Sequence, residues 1–190
     1  TILYGKEPTK FFTQCRIRIT NMPEGPTGDS FSDIEIIEDN LFVSFKRVMD
    51  YFYKNTPVIS EFQSDNPIRQ DRQKYPFAAL DEAIVNAMVH RDYGDMSGEI
   101  TINIHKDKIE IINSGEIPSD IITKKNKIES HHSVLRNPTI AHMFFLRGKM
   151  EKLGRGLSLI KKQFDELGLK SPEWTFQSGY TKLTMYGVKE

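Results

Sequence analysis

The chain has 190 residues, enough for one substantial core or a core with an attachment. Lys plus Arg and Asp plus Glu both number 26, so the net charge is zero and the pI is about 6.9. There is therefore no global basic signal for nucleic acid, although a local patch stays open. The single Cys15 excludes an internal disulfide and fits a reducing compartment. No apolar run approaches the roughly 18 residues of a membrane span, and no signal peptide is visible. The chain starts without Met and reads as a piece of a longer protein.

Residues 1–20 read as strand-rich: Ile2-Leu3-Tyr4 is apolar, and Cys15 to Thr20 alternates with period two. Residues 21–30 are turn-forming. Asp33–Ile37 is a short strand. Residues 40–54 form a helix with Leu41, Phe45, Val48, Met49 and Phe52 on one side. Val58–Phe62 is another strand. The charged stretch 63–74 is expected to be a linker, dividing a first unit (1–62) from a second (75–190).

The second unit opens with a helix from about Phe77 to Tyr93. Helical spacing puts Glu82, Asn86 and His90 on one stripe. Leu80, Ala83, Ile84, Ala87, Met88 and Arg91 fall on a neighbouring, mostly apolar one. A carboxylate, a carboxamide and an imidazole thus line up beside a core-facing surface. A carboxylate can act as a general base, and a carboxamide oxygen suits Mg²⁺. After a turn cluster at Gly94–Gly98, Ile100, Ile102 and Ile104, then Ile109 and Ile111, alternate with polar residues around Lys106-Asp107, which predicts a hairpin.

Residues 119–153 have the length and polarity of a lid, expected to be the most mobile part of the second unit without ligand. Within it, Pro138 to Leu146 reads as a helix with Pro138 near its first position. Gly154-Arg155-Gly156 opens a helix to about Leu167, with Ile160, Phe164 and Leu167 on its buried face. Trp174–Phe176 and Leu183–Tyr186 are closing strands around Gln177-Ser178-Gly179.

Four features then stand in chain order: the Glu82…Asn86 helix, Asn113-x-Gly115 after a strand, Gly154-x-Gly156 at a helix start, and Gly179 before a Thr-containing strand. A glycine pair at a helix N-terminus lets backbone N–H groups approach phosphate. Each feature alone has an ordinary structural reading, as a cap or a turn.

In that order they resemble the Bergerat-fold ATP-binding domain of the GHKL superfamily: gyrase B subunits, Hsp90, MutL and sensor histidine kinases. The strings E-A-I-V-N-A-M-V-H-R-D-Y (82–93), I-x-I-x-N-S-G-E-I-P (109–118), R-N-P-T-I-A (136–141) and E-K-L-G-R-G-L (151–157) resemble one branch more closely. That branch is labelled "putative transcriptional regulator" or "RecG-like ATP-dependent DNA helicase, C-terminal domain", usually behind an AlbA-2 (Schlafen-type) DNA-binding domain. Residues 1–62 are similar to the tail of that upstream domain and its connector.

The resemblance implies an α/β fold, a two-layer sandwich of mixed, largely antiparallel sheet and helices, in a cytoplasmic bacterial protein. It implies ATP and Mg²⁺ as cofactors, with or without hydrolysis, DNA contact through the upstream domain, a homodimer as a possible assembly, and no membrane. By residue, Glu82 matches the carboxylate that activates water. Asn86 matches the ligand that reaches Mg²⁺ through the nucleotide. Asn113 matches the position that accepts the adenine amino group, Gly115 the close approach to the base, and Gly154 and Gly156 the phosphate cradle. Gly179 and Thr181 match the last motif.

Asn113 stands where the family has Asp and accepts without charge. Ile117 stands where the family has a second Gly. The helicase label finds no support, because no G-x-x-x-x-G-K-[ST] is present. Two other classes stay open: a scaffold or dimerisation domain without nucleotide, and DNA binding by this segment itself. His90, Arg91 and Arg136 read equally as packing or salt-bridge residues, Lys124–Lys127 as a solvated face, His131-His132 as surface, and Cys15 as a buried small side chain.

Overall fold

Alternating isoleucines build the sheet. Every second residue of a strand faces one side, and Ile17, Ile19, Ile100, Ile102, Ile109 and Ile111 are all buried in one core. A computed structural model of the chain describes residues 1–23, 33–63, 66–115, 135–150 and 156–188. Its elements are β1 (Ile17–Met22), β2 (Asp33–Ile37), α1 (Leu41–Asn55), β3 (Val58–Gln63), β4 (Asn66–Gln73), α2 (Phe77–His90), β5 (Ile100–His105), β6 (Lys108–Ser114), α3 (Pro138–Leu146), α4 (Gly156–Glu166), β7 (Glu173–Gln177) and β8 (Tyr180–Tyr186). The main sheet has the order β2-β1-β5-β6-β8-β7. Only β1 and β5 run parallel, with Ile17 beside Ile100; the other neighbours are antiparallel. The result is a two-layer α/β sandwich, as expected from the sequence.

Strands from both sides of residues 63–74 share this sheet, since β1 pairs with β5. The expected connector itself carries β4, which pairs with β3 as a separate hairpin. Its charged composition hid a strand whose pairing is by backbone. Ile2-Leu3-Tyr4 is a turn rather than a strand; Ile2 and Leu3 pack against the core, and the Ile2 carbonyl accepts from the Leu41 N–H at 3.0 Å.

α2 is the central helix. Ala79, Leu80, Ala83, Ile84, Val85, Ala87, Met88 and Val89 are all buried, so it is apolar around most of its girth. Its neighbours are α1, α3 and α4, of which α4 presents the buried Ile160 and Phe164. A helix buried on most sides carries few polar positions, and one polar stripe left on it asks for a reason. α2 ends at His90, short of the expected Tyr93. Arg91 turns out of helical geometry (φ −58°, ψ 144°) and buries its guanidinium. Burying that charge requires partners: Arg91 donates to the Gln14 carbonyl and, at 2.5 Å, to the Gly98 carbonyl, and lies over the Tyr93 ring. Leu167 is exposed, because α4 stops one residue earlier and Leu169 packs inward instead. Among the described residues no helix is long and apolar enough to cross a membrane.

Candidate functional site

Glu82 and Asn86 sit one turn apart on α2, both half-buried. Asn86 Nδ2 donates to Glu82 Oε1 at 3.1 Å. That orientation spends the amide nitrogen on the carboxylate and leaves Oδ1 as the group's hard oxygen. Gly156, the first residue of α4, abuts both. A Cβ placed there would run into Glu82 Oε1 and come within 2.8 Å of Asn86 Nδ2. Three residues expected at the phosphate end are therefore in direct contact. An Mg²⁺ with nucleotide fits this donor set, since that ion takes one or two protein oxygens and completes its shell with phosphate and water. Among the described residues no cluster of three His, Cys, Asp or Glu side chains offers a separate metal site.

A second cluster forms where β6 and β8 end. Asn113 continues the row of Ile109 and Ile111 on the helix-facing side and is 6% exposed. Its Nδ2 donates to the Ser114 carbonyl at 3.2 Å, and it pairs across the sheet with Thr181. Thr181 Oγ1 donates to the Gly115 carbonyl at 2.6 Å, and the Gly115 N–H donates to the Gly179 carbonyl at 2.8 Å. Gly115 has φ +121°, a region that side chains avoid. A Cβ there would also meet the His90 carbonyl at 3.0 Å and the Asp92 nitrogen at 3.2 Å. Asn113, Gly115, Gly179 and Thr181 are thus one unit, pressed against the end of α2. From Glu82 to His90 the helix rises about 12 Å, at 1.5 Å per residue, so the two clusters flank one line along α2.

The strings H-R-D-Y and R-N-P, distant in sequence, meet at that end. Asn137 Nδ2 donates to the Val89 carbonyl at 2.9 Å and to the Arg91 carbonyl at 2.7 Å, capping α2 where its carbonyls lack helical partners. Arg136 Nη1 donates to Asp92 Oδ2 at 3.2 Å, and its Nε lies 3.4 Å from a Cβ built on Gly115. Burial first, and the Arg136 charge second, hold the His90 imidazole below its usual range, so it is neutral at neutral pH. The Asn137 cap was not expected; the only sequence signal was the R-N-P string beside an unassigned role.

Gly154, Ile117, Lys124–Lys127, His131 and His132 lie outside the described residues, as does much of the expected lid over 119–153. The part of that span that is described contains α3, placed at Pro138–Leu146 as expected.

The fold and these clusters place the chain among two-layer α/β domains with a polar seam between the central helix and the sheet ends. Residues 97–185 match a protein family described as "Putative ATP-dependent DNA helicase recG C-terminal", an ATPase-type domain. The matched span contains Asn113, Gly115, Gly154, Gly156, Gly179 and Thr181; Glu82 and Asn86 precede it. No curated protein matches the chain. Among solved structures, the DIP2311 protein from Corynebacterium diphtheriae superimposes with a TM-score of 0.75 at 17% identity, over 90% of this chain and 34% of that one. The chain thus spans about a third of that protein, and the likeness is one of fold.

Proposed function

We propose that the chain is an ATP-binding, ATPase-like regulatory module of a bacterial DNA-associated regulator. The observation that carries the reading is the meeting of Gly156, at the start of α4, with the Glu82–Asn86 pair of α2, far earlier in the sequence. On this reading the triphosphate lies toward the N-terminal half of α2 and the base toward Asn113 and Gly115. Asn86 presents Oδ1 to the metal, and Mg²⁺, when bound with nucleotide, neutralises phosphate charge. Glu82 takes the role of general base for water if hydrolysis occurs. Asn113 Oδ1 accepts the amino hydrogen of the base, while its Nδ2 is engaged by Ser114. Gly154 is assigned to the phosphate cradle by resemblance. DNA contact is assigned to an upstream AlbA-2-like domain, with a homodimer as a possible assembly.

Titration with ATP·Mg²⁺ tests this. Saturating ligand raises stability by RT ln(1 + [L]/Kd), about 2.7 kcal/mol at one hundred times Kd. No thermal shift and no calorimetric signal at millimolar ATP·Mg²⁺ would remove the reading. A specific observation favours the alternative, a scaffold without nucleotide: Gly115 and Gly156 both abut α2 so closely that packing alone explains them. Absence of binding together with a wild-type-like fold selects that alternative.

A further inference from the structure

The main sheet has two edge strands, β2 and β7, and their side chains differ. An edge carries unpaired backbone N–H and C=O groups, which sheet proteins guard with polar or charged side chains. β7 follows that rule: Glu173, Thr175 and Gln177 are exposed, while Trp174 and Phe176 are half-buried. β2 does not. Ile34 is 53% exposed and Ile36 48%, and neither belongs to the core. Alternation puts both on the sheet face away from the helices, since the next residue, Ile37, is completely buried in the core. Among the described residues β2 pairs with β1 alone. The acids of β2 lie on its other face and are engaged there. Tyr51 Oη donates to Asp33 Oδ2 at 3.0 Å, and Arg47 Nη2 donates to Glu35 Oε1 at 2.7 Å. Neither acid shields the isoleucines.

We propose that β2 is a dimer edge: two copies of the chain pair their β2 strands antiparallel about a two-fold axis at Glu35, which joins their main sheets into one. A symmetric interface must complement itself, and β2 does so on both faces. About Glu35, Ile34 falls opposite Ile36 of the second copy and Ile36 opposite its Ile34, so the exposed isoleucines cover one another. On the helix side Glu35 meets its own image. Like charges directly opposite repel, but each Glu35 brings its Arg47, and the axis sets guanidinium beside carboxylate from both copies. Asp33 falls opposite Ile37 and keeps its bond to Tyr51. Other registers lose this match. Centring on Ile36 sets Ile34 against the exposed Glu38, and a one-residue slip sets Ile36 against Glu35 and puts the helices of the two copies on opposite faces. The inference takes up the homodimer of the reading above and gives it a surface; it does not require nucleotide. β2 has only five residues, so the interface is small and the dimer weak and concentration-dependent.

Sedimentation of the chain over a concentration series is the test. The mass should rise reversibly from 22.0 kDa toward twice that value. Ile34→Lys combined with Ile36→Lys should hold the chain at the monomer mass and leave the melting temperature within a few degrees of wild type, because both side chains are exposed. Arg47→Ala should weaken the dimer several-fold by leaving Glu35 bare against Glu35, and adding Glu35→Gln should recover most of the loss. A wild-type chain that stays monomeric to about 0.5 mM, where even a dissociation constant of ~1 mM shows, overturns the proposal and leaves the edge to a strand of another protein. A dimer that survives the double lysine variant places the interface elsewhere and also overturns it. If that variant fails to fold, Glu35→Cys decides. Opposed residues of paired strands lie within disulfide reach, so mild oxidation should cross-link Glu35→Cys to itself. The wild type, whose only thiol is the buried Cys15, should stay uncrosslinked. No cross-link from Glu35→Cys, or an equal yield from Asp33→Cys, overturns the pairing. A chain that dimerises through β2 and binds no ATP loses the nucleotide reading and keeps this one; a monomer that binds ATP does the reverse.

Discussion

Cys15 is 3% exposed, and burial pushes its thiol up to about 11 from an ordinary 9.0. In the folded chain the thiol stays protonated to about 11, while in the unfolded chain it ionises from about 9. Below pH 9 both states hold the proton and the stabilisation is complete. As pH rises from 9 toward 11 only the unfolded state releases it, and stability falls by up to about 2–3 kcal/mol. Tyr51, pushed up to about 12 by burial and then by its hydrogen bond to Asp33, adds a loss of the same sign above pH 10. Urea melts at pH 8 and pH 10 should therefore show a drop, and Cys15→Ala should remove the part that appears below pH 10. Stability that is flat or rising over that range would refute the assignment. At this scale the sequence named Cys15 as a buried small side chain from its type alone. It left Arg91 open between phosphate contact and packing, and only its buried carbonyl acceptors decide for packing.

At the scale of elements, Asn137 joins α3 to α2. It stands just before Pro138, where α3 begins, and spends its amide on two carbonyls at the end of α2. Asn137→Ala removes both bonds and leaves the Val89 and Arg91 carbonyls short of a donor, which should cost about 2 kcal/mol. Chemical denaturation measures this, and a loss below about 0.5 kcal/mol would show that water replaces the cap. The helices were legible because their signals are local: Asn40 accepts from the Val43 N–H and caps α1, and Pro138 sits at the start of α3. β4 was not legible. Asn66 to Gln73 offers no apolar alternation, and its strand state shows only in its backbone pairing with β3. The early end of α2 has the same origin, since Arg91 leaves the helix to reach acceptors in the segment before β1 and the turn before β5.

For the whole molecule, turnover and binding should separate at the central helix. If the chain hydrolyses ATP, Glu82→Gln should abolish phosphate release and leave nucleotide affinity within about tenfold, or ~1.4 kcal/mol. Gln keeps the shape but takes no proton from water. Asn86→Ala should instead weaken Mg²⁺-dependent binding, because it deletes an oxygen ligand. Steady-state phosphate release beside nucleotide titration distinguishes the two, and wild-type-like release from Glu82→Gln would show that the base lies elsewhere. The sequence by itself determined most of the helices and strands and the alignment of Glu82, Asn86 and His90, because these follow from periodicity within one segment, while the two-layer α/β class came with the family resemblance. The tertiary structure alone decided that β1 lies parallel to β5, that Asn137 closes α2, and that Gly156 rests on Glu82. Those are contacts between segments distant in the chain, and no local pattern of polar and apolar residues specifies which distant partner a strand edge, a free carbonyl or a glycine will meet.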